Sequence, residues 1–126
     1  MTDLNESLDY FEEVKTKTVL DMVREFAKVT EQKPNPALYE TLIKEELAEW
    51  LMETAPEEEL KELSDLVYVI YGYANAKGWD LITAIERVHE NNVGRCYQPD
   101  GTIHRREDGK ILKNKDYPKV KLGDLV

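Results

Sequence analysis

Two acidic pairs at helical spacing constrain the fold of this chain more than any other feature. They lie in the segment LIKEELAEWLMETAPEEELKELSD and consist of Glu46 with Glu49 and Glu62 with Asp65. Residues three apart lie on one face of an α-helix, about one turn from each other, so each pair directs two carboxylates the same way. Four converging carboxylates repel one another, and a hard divalent cation such as Mg²⁺ or Mn²⁺ makes such a cluster tolerable.

The spacing of apolar residues, with capping and breaking residues between the runs, predicts four helices. We predict helices over Leu8–Val29, from Pro36 to about Thr54, from Pro56 to about Lys77, and from the cap Asp80 to about Val93, with Gly94 ending the last one. The short connection between the second and third helices predicts that they form an antiparallel hairpin.

On a helical wheel the acidic pairs do not fall on a solvated face. Glu46 and Glu49 lie within the apolar arc of the second helix, whereas Glu40 and Lys44 lie opposite it. On the third helix Glu62 shares the apolar side and Asp65 flanks it. Because unpaired charge is normally excluded from a core, this placement favours a ligand over a plain surface role.

The last part of the chain differs in composition from the rest. It carries eight Arg or Lys residues between Arg95 and Lys121, and a DG turn at Asp108 separates two short β-compatible runs. We therefore expect an all-α fold, a four-helix antiparallel bundle with a C-terminal extended tail or short β-hairpin. Residues 1–94 are expected to form the helical core, and the basic tail, residues 95–126, to complete the same domain.

Composition excludes several classes of function. A net charge of −9 over 126 residues argues against a role in binding a nucleic acid polymer, whose phosphates require a basic surface. No apolar run is long enough to cross a membrane, and the amino terminus is acidic where a signal peptide would be basic. Cys96 is the single cysteine, which fits a reducing compartment. We expect a cytoplasmic protein, or one in the host cytoplasm if a phage encodes it.

These residues also carry a family resemblance. Glu45, Glu46 and Glu49, followed by Glu62 and Asp65, match the EExxE, spacer, ExxD pattern of the MazG-like all-α nucleoside triphosphate pyrophosphohydrolases, a group that includes dimeric dUTPases and phosphoribosyl-ATP pyrophosphohydrolases. The segments LVYVIYGYANAKG, VHENNVGR and DGKILKNKDYP then follow in the order found in the small phage and bacterial members. The resemblance covers most of residues 22–118.

The resemblance implies a set of roles. It implies Mg²⁺, or Mn²⁺ in its place, as cofactor, held by Glu46, Glu49, Glu62 and Asp65, with Glu45 as a further ligand or as the residue that orients the attacking water. It also implies nucleotide contacts by Asn75, Asn92, Arg95, Lys110, Lys113 and Tyr117. Arg95 stands where the closest pattern has a lysine, and the two are not equivalent phosphate donors.

Two hypotheses remain open from the sequence. The first is an Mg²⁺-dependent enzyme that converts a nucleoside triphosphate to the monophosphate and pyrophosphate, a reaction that requires no covalent nucleophile from the protein. The second is a non-catalytic helical module that binds a nucleotide or a metal. The long apolar faces of the first and third helices, together with the resemblance, predict a homodimer or a tetramer built from dimers. The aromatic residues Trp50, Tyr68, Tyr71, Tyr73 and Trp79 could stack on a base or fill the core.

Overall fold

The computed structural model describes residues 17–126, in which the regular structure is helical. These residues form four α-helices and one short 3₁₀ helix. The α-helices are α1 (Val19–Val29), α2 (Pro36–Met52), α3 (Pro56–Lys77) and α4 (Leu81–Arg95), and the 3₁₀ helix is Gly123–Leu125. The all-α prediction is confirmed. Within the described part of the chain, no helix combines the length and the apolar character that a membrane span requires.

The chain divides into two compact units, the first ending at Trp79 and the second running from Asp80 to Val126. In the first unit, α1 and α2 both pack against α3. Its core includes Leu20 and Val23 from α1, Tyr39 from α2, and Tyr71 and Ala74 from α3. The third helix is therefore the element against which the other two are placed.

The first helix begins later than the sequence suggested. Thr18 has an extended backbone, and its hydroxyl accepts a hydrogen bond from the backbone N–H of Asp21, whose carboxylate accepts one from the N–H of Thr18. This reciprocal capping box fixes the helix start at Val19. The prediction of helix at residues 17 and 18 is therefore wrong, and the part of that prediction before residue 17 lies outside the described residues.

The hairpin of α2 and α3 has the predicted ends to within two residues. The Asn35 side chain accepts a hydrogen bond from the N–H of Leu38, and a proline opens each helix, where its missing N–H costs nothing. The second helix ends at Met52 rather than Thr54. At the end of α3, Gly78 has a φ of 74°, the left-handed conformation that glycine adopts without strain, as the predicted stop requires.

One close contact sets how α2 lies on α3. The ring of Tyr39 packs directly over Gly72, so that a Cβ atom placed on this glycine would overlap three ring carbons. Tyr39 is 7% exposed, and its hydroxyl donates a hydrogen bond of 2.6 Å to the Gln32 side chain. The absence of a side chain at Gly72 thus lets the two helices approach at this point.

In the second unit, α4 is capped by Asp80, as predicted, but it does not end at Gly94. The helix continues to Arg95. Gly94 instead lies under the side chain of Tyr117, whose ring and hydroxyl would overlap a Cβ atom at this position. The glycine therefore serves close packing rather than helix termination, and the prediction of a stop at Gly94 is wrong.

The tail of the second unit turns back on itself but forms no pair of strands within the described residues. Arg105 and Ile111 form an isolated antiparallel bridge, and the turn between them has Gly109 at a φ of 89°. This left-handed glycine after a tight turn is typical of three-residue hairpin loops. Further along, Arg87 of α4 forms a bidentate ion pair with Asp124, which fastens the 3₁₀ helix. The predicted hairpin is thus reduced to one bridge, and the rest of the tail consists of turns, irregular backbone and the 3₁₀ helix.

The contact between Tyr39 and Gly72 predicts a cost for adding one methyl group. Replacing Gly72 with alanine should lower the free energy of unfolding by about 1–3 kcal/mol, because overpacking outweighs the entropic gain of Gly→Ala in a helix. Gly123→Ala is the matched control, since an added Cβ there meets nothing within 4 Å. Urea denaturation followed by circular dichroism measures both. Equal stability of the two variants would contradict the packing described here.

Candidate metal centre

Three glutamates from two helices converge in the first unit. Glu46 and Glu49 lie one turn apart in the second half of α2, and Glu62 lies in the first half of α3. One carboxylate oxygen from each lies within 4.8 Å of the other two. The hairpin brings these positions together because the end of α2 and the beginning of α3 are joined by only a short connection.

Two of these carboxylates are removed from solvent without enough hydrogen-bond donors from the protein. Glu62 is 8% exposed and Glu46 is half-buried. Among the described residues, the Oε2 atoms of both are buried and have no hydrogen-bond partner. A buried acceptor without a donor costs free energy, more so when it carries charge. Such atoms in a native fold require an explanation, and a bound ligand is the usual one.

Glu49 departs from the prediction made on the helical wheel. Its side chain is exposed, whereas the wheel placed it within the buried arc with Glu46. The reason is that α3 covers only a narrow part of the α2 surface. Tyr39 is the only residue of α2 that is buried in the described structure. The carboxylate of Glu49 nevertheless reaches the group from the solvent side.

The local electrostatics disfavour full ionisation of the group. Burial, followed by the charge of Glu49 and the close approach of the Glu62 and Glu49 carboxyl groups, raises the pKa of Glu46 from 4.5 to about 7. Asp65 adds a smaller contribution of the same sign. The cause is physical, since a desolvated carboxyl beside other carboxylates is more stable when it keeps its proton.

Asp65 and Glu45, the other two predicted site acids, lie differently. Asp65 is half-buried and forms an ion pair of 2.9 Å with Lys61, while Glu45 is exposed on α2. Neither belongs to the group of three converging oxygens among the described residues. Asp65 is still close enough for its charge to act on Glu46.

Lys61 is a site residue that the sequence reasoning missed. Its ammonium lies 2.9 Å from Asp65 and 3.4 Å from Glu62, and these two hydrogen bonds raise its pKa above the usual range. The signal was present in the sequence, because Lys61 and Asp65 are spaced i, i+4 on one helix. Lys61 itself is largely exposed, so its charge offsets the acids only partly.

The residues present fit a hard divalent cation. The donors are carboxylate oxygens, which Mg²⁺ and Mn²⁺ prefer, and nitrogen or sulfur ligands are missing from the described group. The Oε2 atoms of Glu46 and Glu62 are buried without a hydrogen-bond donor, and a bound cation would supply the positive partner that they lack. A cation would also remove the repulsion that keeps a proton on Glu46.

Five of the predicted nucleotide contacts lie in the second unit, around two cavities. Four of them line a cavity of about 320 Å³, which also includes Cys96 and Ile111: Asn92, Arg95, Lys110 and Lys113. Arg95 donates a hydrogen bond of 2.6 Å to the Asn92 side chain. A second cavity of about 580 Å³ is lined by Arg95, Lys113 and Tyr117, among others. The predicted residues of this unit are thus neighbours.

Asn75 lies apart from the acids within the first unit. It lines a small cavity of about 40 Å³ beside Tyr39, Gln32 and Ala76. A space of this size admits about one water molecule, far less than a nucleobase. The structure therefore places Asn75 near the contact that holds α2 on α3, and its predicted role in substrate binding stays a prediction.

Most of the aromatic residues considered for base stacking are in contact with other side chains. Tyr71 is buried, and Tyr68 packs edge-on against Phe26 with ring centroids 6.0 Å apart. Tyr73 packs likewise against Trp79. Trp50 is half-buried one position from Glu49, and its indole N–H has no partner within the described residues.

The fold and the site define an all-α protein with a carboxylate centre suited to a hard cation. A family model for phosphoribosyl-ATP pyrophosphohydrolase matches residues 10–92, which is more than half of the chain. The chain belongs to this family, and through it to the MazG-like all-α nucleoside triphosphate pyrophosphohydrolase superfamily. A comparison with curated proteins returned no match.

Membership in the family establishes the class of reaction. The protein is a pyrophosphohydrolase, a hydrolase that acts on phosphoanhydride bonds of nucleotides. The family is metal-dependent in general, in agreement with the cluster of acids described above. The match includes both helices that carry the converging glutamates.

The raised pKa of Glu46 predicts how stability depends on pH without metal. Between pH 4.5 and about 7 the folded state holds a proton that the unfolded state has released, so stability falls as pH rises through this window. In a metal chelator, Glu46→Gln should therefore be more stable than the parent at pH 8, by on the order of 2 kcal/mol, and nearly equal to it at pH 4.5.

Thermal unfolding at several pH values measures this difference. Glu40→Gln is the matched control, because Glu40 lies on the same helix, is exposed, and loses the same charge on substitution. The control should follow the parent at every pH. A Glu46→Gln variant that is no more stable than the parent at pH 8 would show that the cluster is not under the repulsion inferred here.

Proposed function

We propose that the protein is an Mg²⁺-dependent nucleoside triphosphate pyrophosphohydrolase. It cleaves an NTP or dNTP between the α and β phosphates and releases the monophosphate and pyrophosphate. The observation that carries the proposal is the convergence of Glu46, Glu49 and Glu62, with two buried oxygens that have no partner in the described structure. The established class of reaction agrees with it.

The metal ligands we propose are Glu46, Glu49, Glu62 and Asp65. The first three have converging oxygens, whereas Asp65 would have to exchange its ion pair with Lys61 for a metal contact. That exchange costs little free energy, because the Lys61 ammonium is largely exposed and is hydrated by water once it leaves Asp65. Bound Mg²⁺, or Mn²⁺ in its place, supplies positive charge that neutralises phosphate oxygens during cleavage.

Glu45 is the residue we propose to orient the attacking water. It is exposed on α2, next to Glu46 in the chain, and its carboxylate has no ion-pair partner within the described residues. A free carboxylate can accept a hydrogen bond from a water molecule and thereby orient the water so that a lone pair of its oxygen faces the phosphorus atom. Glu45 would act in this way without ever forming a bond to the substrate.

The remaining proposed contacts supply positive charge and hydrogen bonds for the substrate. Asn92, Arg95, Lys110, Lys113 and Tyr117 would bind the nucleotide, and Asn75 is retained as a contact on the basis of the resemblance alone. The hydrogen bond from Arg95 to Asn92 supports the first pair, because it orders both side chains at one cavity. Positively charged side chains beside the departing pyrophosphate stabilise the negative charge that develops on it, and they thereby lower the barrier to cleavage.

The non-catalytic module remains the alternative from the sequence, but family membership favours the enzyme. The family comprises pyrophosphohydrolases. The electrostatic cost of the acid cluster argues against a module that binds no metal, but it is shared by a module that binds metal without turnover. A module that bound metal without turnover would retain the cation site and yet release no product.

Nucleotide turnover tests the proposal directly. Purified protein is incubated with a panel of NTPs and dNTPs in Mg²⁺, and the products are separated by anion-exchange chromatography. We expect the monophosphate and pyrophosphate in equal amounts, and no reaction in a metal chelator. Glu46→Gln and Asp65→Asn should each lower the rate by about 100-fold or more, because each removes charge at the metal.

Glu40→Gln serves again as the control with the same loss of charge on α2, and it should leave the rate unchanged. Glu45→Gln should lower kcat more than it changes KM, as loss of a water-orienting group predicts. Release of orthophosphate alone would overturn the proposed cleavage site. Turnover that survives Glu46→Gln would overturn the proposed metal site.

We further propose that the protein forms a homodimer, or a tetramer built from dimers. In the first unit, exposed apolar side chains from two helices surround a groove of about 370 Å³. Its lining residues include Met22 of α1 and Leu60, Leu63 and Val67 of α3. Exposed apolar surface of this kind marks contact sites for other protein surfaces. A second copy of the chain is the occupant that the family resemblance favours.

Light scattering at micromolar concentration measures the assembly. We expect at least a dimer for the parent, and a shift toward monomer when Leu60, 64% exposed, is replaced by glutamate. The burial of a charge in an apolar interface accounts for the effect. Leu51→Glu is the control, since Leu51 is 67% exposed and lies outside the groove. A monomeric parent would refute the proposal.

A further inference from the structure

One lysine lies against the acids of the first unit, and neither the resemblance nor the family match assigns it a role. The Lys61 ammonium lies 2.9 Å from Oδ2 of Asp65 and 3.4 Å from Oε1 of Glu62. No other Lys or Arg among residues 17–126 forms an ion pair with the predicted metal ligands. Lys61 is therefore the cation with which the described protein itself meets these carboxylates.

The ion pair with Lys61 distinguishes Asp65 from the other predicted ligands. Within the described structure, the oxygens that converge belong to Glu46, Glu49 and Glu62, and Asp65 is not part of the group. Asp65 is nevertheless near enough for its charge to act on Glu46. The acid that stays outside the group is thus the one that a lysine holds most closely.

The contact between Lys61 and Asp65 can be given up easily. The Lys61 side chain is 62% exposed and that of Asp65 is 39% exposed. An ion pair at this exposure is weak, because water and salt screen both charges. The long, flexible stem of lysine also lets the ammonium withdraw into water without any movement of α3.

We infer that Lys61 is a positioning residue that occupies Asp65 and Glu62 in place of the metal and is displaced when a divalent cation binds. This role rests on the metal ligands proposed above. Without a divalent cation, Lys61 reduces the repulsion among the acids and so stabilises the metal-free fold. When a cation binds, the same positive charge competes for Asp65 and repels the ion, so it weakens metal binding.

The two effects of Lys61 have opposite signs, which distinguishes this role from a purely structural one. Loss of a structural contact lowers the stability of the metal-free protein and also loosens the site, so the affinity for metal falls with it. Loss of a competing cation lowers the stability of the metal-free protein but raises the affinity for metal.

The variant Lys61→Met separates these cases, because it removes the charge and keeps an unbranched stem. Affinity for Mn²⁺ is measured from the paramagnetic resonance signal of the free ion. We expect Lys61→Met to bind Mn²⁺ about fivefold more tightly than the parent, the upper end of what an exposed ion pair contributes. Its melting temperature should lie below that of the parent in a chelator, and Mn²⁺ should raise it by more.

Lys44→Met is the matched control. Lys44 also forms an ion pair at i, i+4 spacing, with Glu40 at 3.5 Å, and its side chain is 75% exposed. Its substitution removes the same charge and should change the Mn²⁺ affinity by less than about twofold, because solvent screens an exposed charge that contacts none of the ligands. Lys61→Arg, which keeps the charge, should bind Mn²⁺ no more tightly than the parent.

The effect of Lys61 should also depend on Asp65. In an Asp65→Asn background, Lys61→Met should gain less affinity for Mn²⁺ than it gains in the parent, because the closest partner of the ammonium is already lost. An equal gain in both backgrounds would show that Lys61 does not act through Asp65, and it would overturn the inference.

The outcomes separate the role of Lys61 from the proposed function. A parent that binds Mn²⁺, with Lys61→Met no tighter, would overturn the inference and leave the metal site and the reaction intact. A parent that binds no divalent cation would overturn both. Equal tightening by Lys44→Met would reveal a general effect of net charge and would also overturn the inference. Lys61→Gln repeats the measurement with a polar side chain, so that an effect of added apolar surface is recognised.

Discussion

Repulsion among the carboxylates of Glu46, Glu49 and Glu62 is the constraint on which the first unit depends. Two full charges about 4 Å apart repel by about 4 kcal/mol at an effective dielectric constant of about 20, which is comparable to much of a small domain's stability. The hairpin must therefore hold these groups together against their own field. It does so through packing at a distance from the acids, where the ring of Tyr39 lies on Gly72 and lets α2 approach α3 closely.

The protein offsets this repulsion only in part. Lys61 contacts Asp65 and Glu62, and Glu46 retains a proton near neutral pH, yet two buried oxygens stay without a donor. A proton and a divalent cation thus compete for the same group. Near the raised pKa of Glu46 the proton is held weakly enough for a cation to displace it. The site is ready for metal because the fold leaves it incompletely neutralised.

Much of this could be predicted from the sequence, because local signals determine it. Helix ends follow from Asn35, Pro56 and Gly78, and the spacing of the acids places them on the correct helices. What failed depends on packing between distant residues. Glu49 is exposed because α3 covers only a narrow part of the α2 surface. Gly94 reads as a helix stop in isolation, and only the ring of Tyr117 above it, more than twenty residues later, shows that it serves close packing.

The orphaned oxygens argue against a merely structural role for the cluster. A helical hairpin gains nothing from glutamates at positions 46 and 62, since neutral side chains of similar size would remove both the repulsion and the unmet hydrogen bonds. Groups that lower stability where they stand are typical of binding and catalytic sites, where a ligand recovers the lost free energy.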